Sequence, residues 1–287
     1  MMNNEWPLIF FTLFAQMAWG LVVAVAFLRL GKQSEITMIF SRVRGPAILV
    51  SIVLMTAALL ISFFHLGSPL KAVYAIGNLK SSWLSREILA VSVFWALLIV
   101  WYGIMKRTKG KEAFSKTMLW LCFLAGLVMV YTMSRLYMVP TIPAWNLPST
   151  MISFYTSSLM LGPAFLLLMI VIRRDTDISN IANRYFFRIL VGVLLVSLIA
   201  RLTGVTVFPL PAGEAVFAPP ALPGWLGVMH YFLLIGGVVM ILIFAIFSAG
   251  GKNRPYTGTI LFSFVCIFLA EVILRYMFYA GYYRLGV

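Results

Sequence analysis

Long apolar segments separated by short polar connections dominate the sequence. Eight of them are long enough, at a rise of about 1.5 Å per residue, to cross a hydrocarbon layer of about 30 Å as helices. Turn residues mark several ends, such as Gly31 after the first segment and Pro223-Gly224 before the seventh. Transmembrane strands would instead be short and alternate polar with apolar positions. The predicted helices cover residues 7–30, 46–66, 86–105, 117–138, 151–172, 187–208, 225–248 and 257–280.

The composition agrees with a chain that lies in a membrane. Hydrophobic residues make up 62% of the 287 residues, charged residues make up 10%, and the mean hydropathy is +1.01. A soluble domain has about 25% charged residues, and a disordered chain is still more polar. No polar connection is long enough to form a soluble domain. We therefore predict an all-α integral membrane protein, in which residues 1–287 form a single bundle of eight transmembrane helices.

The distribution of Lys and Arg predicts how the helices are oriented. The formal net charge is +14, and most of the 22 basic residues lie in the connections after the first, third, fifth and seventh helices. Such loops stay in the cytoplasm, so both termini are expected on the outer, periplasmic side. The positive charge thus indicates cytoplasmic loops rather than nucleic-acid binding. No basic segment precedes the first apolar run, which is therefore expected to remain as a span rather than be cleaved as a signal peptide.

Few residues with ionisable side chains lie within the predicted helices, and these residues share one half of the bundle. Charged and titratable groups inside a membrane are costly and commonly mark a functional site. Because each lies in the outer half of its helix, the sequence predicts one polar cavity near the outer face. The residues concerned are His65, Glu87, Arg135, Tyr137, Arg201, His230, Glu271 and Arg275.

Each of these residues also has a purely structural interpretation. Glu271 and Arg275 are four residues apart on one helix face and could neutralise each other. Glu87 follows Ser85 near a helix start, a pattern typical of N-terminal capping. Three further residues could simply reach the membrane interface. They are Arg135, Arg201 and His230.

A quinol is the ligand whose chemistry suits such a cavity best. Its ring and tail need apolar walls, and its two hydroxyls each need an acceptor, which His65 and a carboxylate such as Glu87 could supply. The sequence contains no hydrolase or nucleotide-binding motif. Cys122 and Cys266 have no partner at metal-binding spacing, so we expect no metal site in this chain.

Two other interpretations of the polar residues stay open. A haem b would need both histidines of the chain, His65 and His230, as its ligands. A secondary transporter of a small anion could use Arg135, Arg201 and Arg275 as binding charges. Transporters, however, place their sites near the midplane of the bilayer, whereas these residues lie toward one face.

Several short motifs follow one another from residue 5 to about residue 281. They are Glu5-Trp6-Pro7-Leu8, Phe14-x-Gln16, His65-Leu66-Gly67-Ser68-Pro69 followed by Lys71-Ala72, Ser85-x-Glu87-Ile88, Arg135-x-Tyr137, Val139-Pro140-Thr141 with Trp145, Gly162-Pro163, and Glu271-x-x-x-Arg275-x-x-Phe278-Tyr279. In order and spacing they resemble the DmsC-type membrane anchor subunit of anaerobic dimethyl sulfoxide reductase. Lys71 stands where an Arg is usual in that family, Ala270 stands where a Gly is usual, and residues 209–224 resemble no part of it.

The resemblance implies a multi-pass subunit of the bacterial inner membrane that oxidises menaquinol in anaerobic respiration. It implies two partners, an iron–sulfur subunit with [4Fe–4S] clusters and a catalytic subunit with a molybdenum cofactor, and no haem or cluster in this chain. It assigns His65 and Glu87 as the catalytic residues at the quinol and leaves open which of them takes the proton. The wider quinol-binding set that it implies adds Gly67, Lys71, Arg135, Tyr137, Glu271 and Arg275.

Overall fold

A computed structural model describes residues 6–31, 34–65, 76–107, 112–172, 186–207, 223–248 and 257–280. These residues form eight α-helices, and two short 3₁₀ turns, Phe63–His65 and Ile76–Asn78, lie between the second and third helices. The helices are α1 (Trp6–Leu30), α2 (Ser34–Ser62), α3 (Trp83–Arg107), α4 (Glu112–Tyr137), α5 (Pro148–Ile172), α6 (Phe186–Val207), α7 (Gly224–Ser248) and α8 (Thr257–Ala280).

The helices have the length and surface of membrane spans. Within the described residues, seven are long and apolar enough to cross a bilayer, and α6 contributes a shorter apolar stretch, Val191–Thr203. Large apolar side chains point away from the bundle, for example Val228 and Phe232, which are 71% and 76% exposed. Such a surface suits contact with lipid rather than water. The prediction of an all-helical integral membrane protein is confirmed, whereas eight crossings and outer termini stay predictions.

Helices α2, α3, α4 and α5 each begin three or more residues earlier than the sequence predicts. The predicted start of α2 at Pro46 is wrong, because the helix begins at Ser34 and contains Pro46 in its interior. A proline removes one helical hydrogen bond, but helices in membranes accommodate it when neighbouring groups satisfy the backbone. Helix α3 begins earlier than predicted, at Trp83, and Ser82 caps it by accepting a hydrogen bond at 3.3 Å from the amide of Ser85.

Helices α1 and α5 form the centre of the bundle. Most residues of both helices are buried, whereas α2, α3 and α7 present broad apolar faces to the outside. Helix α1 packs most extensively against α2 and α5 and also touches α4, α6 and α8. The first helix of the sequence is therefore surrounded by later ones.

Small residues allow α1 and α5 to approach until their backbones touch. A Cβ atom added at Gly20 would lie 2.0 Å from the carbonyl oxygen of Ser158, and one added at Gly162 would lie 2.0 Å from the carbonyl carbon of Gly20. Ser158 and Gly162 are four residues apart, the small-x-x-x-small spacing that permits close helix crossings in membranes. This crossing fixes the relative height and rotation of the two central helices.

Side-chain hydrogen bonds to the backbone attach other helices to this centre. Ser51 of α2 donates to the carbonyl of Ala18 at 3.1 Å, and the Trp19 indole donates to the carbonyl of Phe123 in α4 at 3.0 Å. In an apolar surrounding such bonds each contribute about 1 kcal/mol to helix association. They hold α2 and α4 against α1 at the level of the glycine crossing.

The α1–α5 crossing predicts a position-specific effect of one added methyl group. Gly162→Ala should lower the unfolding temperature of the detergent-solubilised protein, because overpacking costs about 1–3 kcal/mol and here the clash is with backbone. Gly192→Ala is the matched control, because a Cβ atom at Gly192 in α6 meets no described atom within 4 Å. Equal unfolding temperatures for the two variants would contradict the close crossing.

Candidate functional site

A buried ion pair joins α6 and α8 in the half of the bundle that the sequence predicts to be outer. Arg201 of α6 donates to Glu271 of α8 through its Nη1 atom, and the Ser157 hydroxyl of α5 donates to the other carboxylate oxygen at 2.7 Å. Glu271 is completely buried and Arg201 is 3% exposed. A buried charge is tolerated only where it is paired and hydrogen-bonded, and both conditions are met here.

Helix α5 supplies the remaining contacts of the Arg201 guanidinium. The Nη2 and Nε atoms of Arg201 donate to the Thr156 hydroxyl at 2.9 and 3.1 Å, respectively. Nη2 also lies 3.1 Å from the Ser157 hydroxyl and 3.3 Å from the carbonyl of Ser153. The guanidinium is thus held in one orientation by three positions of one helix and a carboxylate.

Arg275 is a second buried guanidinium, one helical turn beyond Glu271. It is completely buried, and its Nη2 atom donates to the Gln16 side-chain carbonyl at 3.1 Å and to the Ser157 hydroxyl at 3.3 Å. Its guanidinium carbon lies 3.7 Å from the ring centre of Phe154, a cation–π contact. Its Nε and Nη1 atoms meet no acceptor in the described part of the chain.

The i, i+4 pairing of Glu271 with Arg275 that the sequence allowed is wrong. Glu271 forms its ion pair with Arg201 instead. Two residues four apart share a helix face, but the strongest partner is decided by what the neighbouring helix presents to that face. Ser157 instead links the two charges, because it donates to Glu271 and accepts from Arg275.

Glu87 is a buried carboxyl in the first turns of α3. It is 4% exposed, and its Oε1 atom has no hydrogen-bond partner within the described ranges. The alternative of N-terminal capping is not supported, because Ser82 performs the capping of α3 and Glu87 lies one turn further in. A carboxyl oxygen that is buried and unbonded is costly, which favours a functional over a structural role.

Two tyrosine hydroxyls that bond to each other lie within electrostatic range of Glu87. Tyr279 of α8 donates to the hydroxyl of Tyr137 of α4 at 2.9 Å, and both side chains interact electrostatically with the Glu87 carboxyl. Aromatic rings surround the pair: Trp145 stacks on Phe278 with 5.1 Å between ring centres. The indole of Trp145 also donates to the carbonyl of Phe278 at 2.8 Å, so the connection after α4 is attached to the end of α8.

Arg135 stands apart from the buried network. It is half-buried and lies over the Trp83 ring, with 5.1 Å between its guanidinium carbon and the ring centre. Its Nε atom is buried without a hydrogen-bond partner in the described part. Arg86 contacts the same ring at 4.3 Å and donates to the carbonyls of Leu79 and Lys80. The indole of Trp83 is therefore contacted by two cations, Arg86 from α3 and Arg135 from α4.

A cavity of about 260 Å³ lies beside the ion pair, between α5, α6, α7 and α8. His230 lines it and is 1% exposed, so the interfacial position that the sequence suggested is wrong. The Nδ1 atom of His230 lies 2.8 Å from the carbonyl of Ala270, which requires a proton on Nδ1 and leaves Nε2 as an acceptor without a partner in the described part. The same wall contains Arg201, Ser149, Ser153 and Phe278.

The structure brings four of the eight predicted site residues into two neighbouring groups. Glu271 and Arg275 join Arg201, while Tyr137 joins Glu87 and Tyr279. His65 ends a 3₁₀ turn, but its side chain, like Gly67 and Lys71, lies outside the described residues.

The quinol-binding set predicted from the sequence omitted two polar residues that complete the network. Gln16 and Ser157 both contact Arg275, although neither is ionisable. The sequence could have indicated both residues, because each is a polar position within an otherwise apolar helix. Ser157 also belongs to a short polar run, Thr156-Ser157-Ser158.

The ion pair predicts a large loss of stability when one partner is neutralised. Glu271→Gln should lower the unfolding temperature in detergent, because an uncompensated buried guanidinium costs roughly 3–5 kcal/mol. The double variant Glu271→Gln with Arg201→Gln should recover part of the loss, since both charges are then absent. A single variant as stable as the unmodified protein would contradict the pair.

Comparison with known proteins agrees with this architecture. The family described as DMSO reductase anchor subunit (DmsC) matches residues 2–281. The C subunit of the anaerobic dimethyl sulfoxide reductase of Escherichia coli (strain K12) is 26% identical over 99% of this chain and 97% of its own length, and that of Haemophilus influenzae is 28% identical over 70% of each. The anaerobic dimethyl sulfoxide reductase subunit YnfH of Escherichia coli (strain K12) is 32% identical, but the match covers only 56% of this chain and 55% of that protein. Because the family match extends over nearly the whole sequence, the chain belongs to the DMSO reductase anchor subunits.

Proposed function

We propose that this chain oxidises menaquinol near the outer face of the bacterial inner membrane and passes the electrons to an iron–sulfur partner. The observation that carries the proposal is the buried Glu87 carboxyl, whose Oε1 atom has no hydrogen-bond partner within the described ranges, in a member of the DMSO reductase anchor family. A ligand hydroxyl would supply that partner. The tyrosines and aromatic rings beside Glu87 suit a flat, hydroxylated ring.

Glu87 and His65 are the residues proposed to act on the quinol. Oxidation of a quinol releases two protons and two electrons, so each hydroxyl needs a group that accepts its proton as the electrons leave. A carboxylate and an imidazole can both do this. In our proposal one of the two takes a proton, and the other orients the second hydroxyl, whose proton is released at the outer face.

The remaining residues of the proposed quinol set have supporting roles. Tyr137 and Arg135 would border the ring from α4, and Gly67 and Lys71 would do so from the connection after α2. Glu271 and Arg275 lie deeper, where their hydrogen bonds fix α8 against α1 and α5. We assign them to holding the site in shape rather than to proton transfer.

The electrons are proposed to leave on the side from which the protons are released. Their acceptor would be a [4Fe–4S] cluster of an iron–sulfur subunit docked at the outer face, which supplies a catalytic subunit with a molybdenum cofactor. Protons and electrons then leave on the same side of the membrane. Quinol oxidation by this subunit would therefore move no net charge across the bilayer.

The buried ion pair weighs against the alternative of an anion transporter. That alternative needs Arg135, Arg201 and Arg275 as free binding charges, but Arg201 is neutralised by Glu271. Arg135 also lies over Trp83, apart from the other two. The three cations thus do not converge on one anion.

A charge-neutral substitution tests the role of Glu87. In membranes that contain the chain and its partner subunits, Glu87→Gln should lower the oxidation rate of a menaquinol analogue about 100-fold or more, the usual contribution of a general base. Glu112→Gln is the matched control, because Glu112 begins α4 at the opposite end of the bundle. A Glu87→Gln variant with the unmodified rate would overturn the assignment of this residue.

His65→Arg tests the second proposed residue and the proposed role of the chain together. We expect loss of quinol oxidation while the chain still co-purifies with a brown iron–sulfur subunit. Turnover equal to that of the unmodified protein would remove His65 from the site. A chain that is always purified colourless and alone would contradict the anchor–quinol proposal as a whole.

A further inference from the structure

A second cavity lies at the end of the bundle opposite to Glu87. It has a volume of about 500 Å³ and opens between the first half of α2 and the last turns of α3. The sequence places this end at the cytoplasmic face. Its lining residues are Ser41, Arg44, Gly45, Pro46, Leu49, Tyr102, Met105 and Lys106.

Among the described residues, the lining of this cavity is cationic and contains no acid. Arg44 and Lys106 are its charged residues, and neither forms an ion pair with any described carboxylate. The Arg44 guanidinium donates to the Ser115 hydroxyl at 3.3 Å, and the Lys106 ammonium lies 5.6 Å from the centre of the Tyr102 ring. These contacts orient both cations without neutralising them, so their charge remains available to an anion.

The walls become apolar toward the middle of the bundle. Leu49 lies five positions beyond Arg44 in α2, about 7.5 Å deeper along the helix, and it is 43% exposed on the lipid-facing surface. Met105 lines the opposite side at the level of the cations, where a Cβ atom added at Gly45 would meet its methyl group at 3.6 Å. The cations lie near the membrane surface and the apolar wall lies deeper in the bilayer. The phosphate and the acyl chains of a phospholipid are arranged in the same order.

We infer that this cavity binds the headgroup phosphate of an anionic phospholipid. Arg44 and Lys106 hold the phosphate oxygens, and the hydroxyl of Tyr102 offers a further donor. The acyl chains lie along the apolar wall that contains Leu49. Basic pockets between transmembrane helices on the cytoplasmic side are suited to such headgroups. A free phosphate would use the same cations but would gain nothing from the apolar wall.

The full chain, purified in a zwitterionic detergent, allows a direct test. It is titrated separately with phosphatidylglycerol, with phosphatidylcholine of the same acyl chains and with inorganic phosphate, and the rise in unfolding temperature gives each Kd. We expect phosphatidylglycerol to bind more tightly than both other ligands. Equal stabilisation by phosphatidylcholine, or by inorganic phosphate at the same concentration, would overturn the inference without any variant.

Paired substitutions assign the binding to this cavity. Arg44→Gln with Lys106→Gln should weaken phosphatidylglycerol binding about 30-fold, the effect expected from two cations next to an anionic headgroup. Arg107→Gln with Lys116→Gln is the matched control: it removes the same charge from the same end of the bundle but lies outside the cavity lining. An unchanged Kd in the first pair, or an equal loss in the control pair, would overturn the inference.

Discussion

The backbone contact between α1 and α5 determines where the polar groups of the bundle can meet. Gly20 and Gly162 let the two central helices touch. One turn from this crossing lie Gln16 on α1 and Ser157 on α5, and both reach Arg275 of α8. Ser157 also contacts Glu271 and Arg201. A larger residue at the crossing would separate α1 from α5 and draw these partners apart, so a steric feature without charge positions a charged network.

The network illustrates what a membrane requires of buried charge. Water is absent from the hydrocarbon region, so every donor and acceptor must find its partner within the protein. Glu271 and Arg201 meet that requirement, whereas the Oε1 atom of Glu87 has no such partner within the described ranges. The contrast separates groups that hold the fold from groups that remain available to a ligand. It also explains why the proposed catalytic role is assigned to Glu87 rather than to Glu271.

The sequence predicted the helices well and their contacts poorly. Apolar length alone located all eight described helices, because each must bury its backbone bonds within itself. The sequence placed the start of α2 too late, because a proline usually marks the end of a helix. Packing against neighbouring helices can instead keep a proline such as Pro46 inside a helix. Likewise, the i, i+4 spacing of Glu271 and Arg275 is visible in one helix, but the guanidinium of Arg201 that captures Glu271 belongs to another. Rotations of helices about their axes are properties of packing and cannot be obtained from hydropathy.

The hydrogen bond between Gln16 and Arg275 has a consequence for biogenesis. It joins the first helix to the last across 259 residues of sequence. Helices of a polytopic protein enter the bilayer in the order of synthesis and associate afterwards. The side-chain amide of Gln16 therefore lacks this partner in the membrane until α8 has been synthesised. Until then, the faces of α1 that later become the core are not covered by α8. The centre of this bundle is thus the first part to be inserted and the last to be finished.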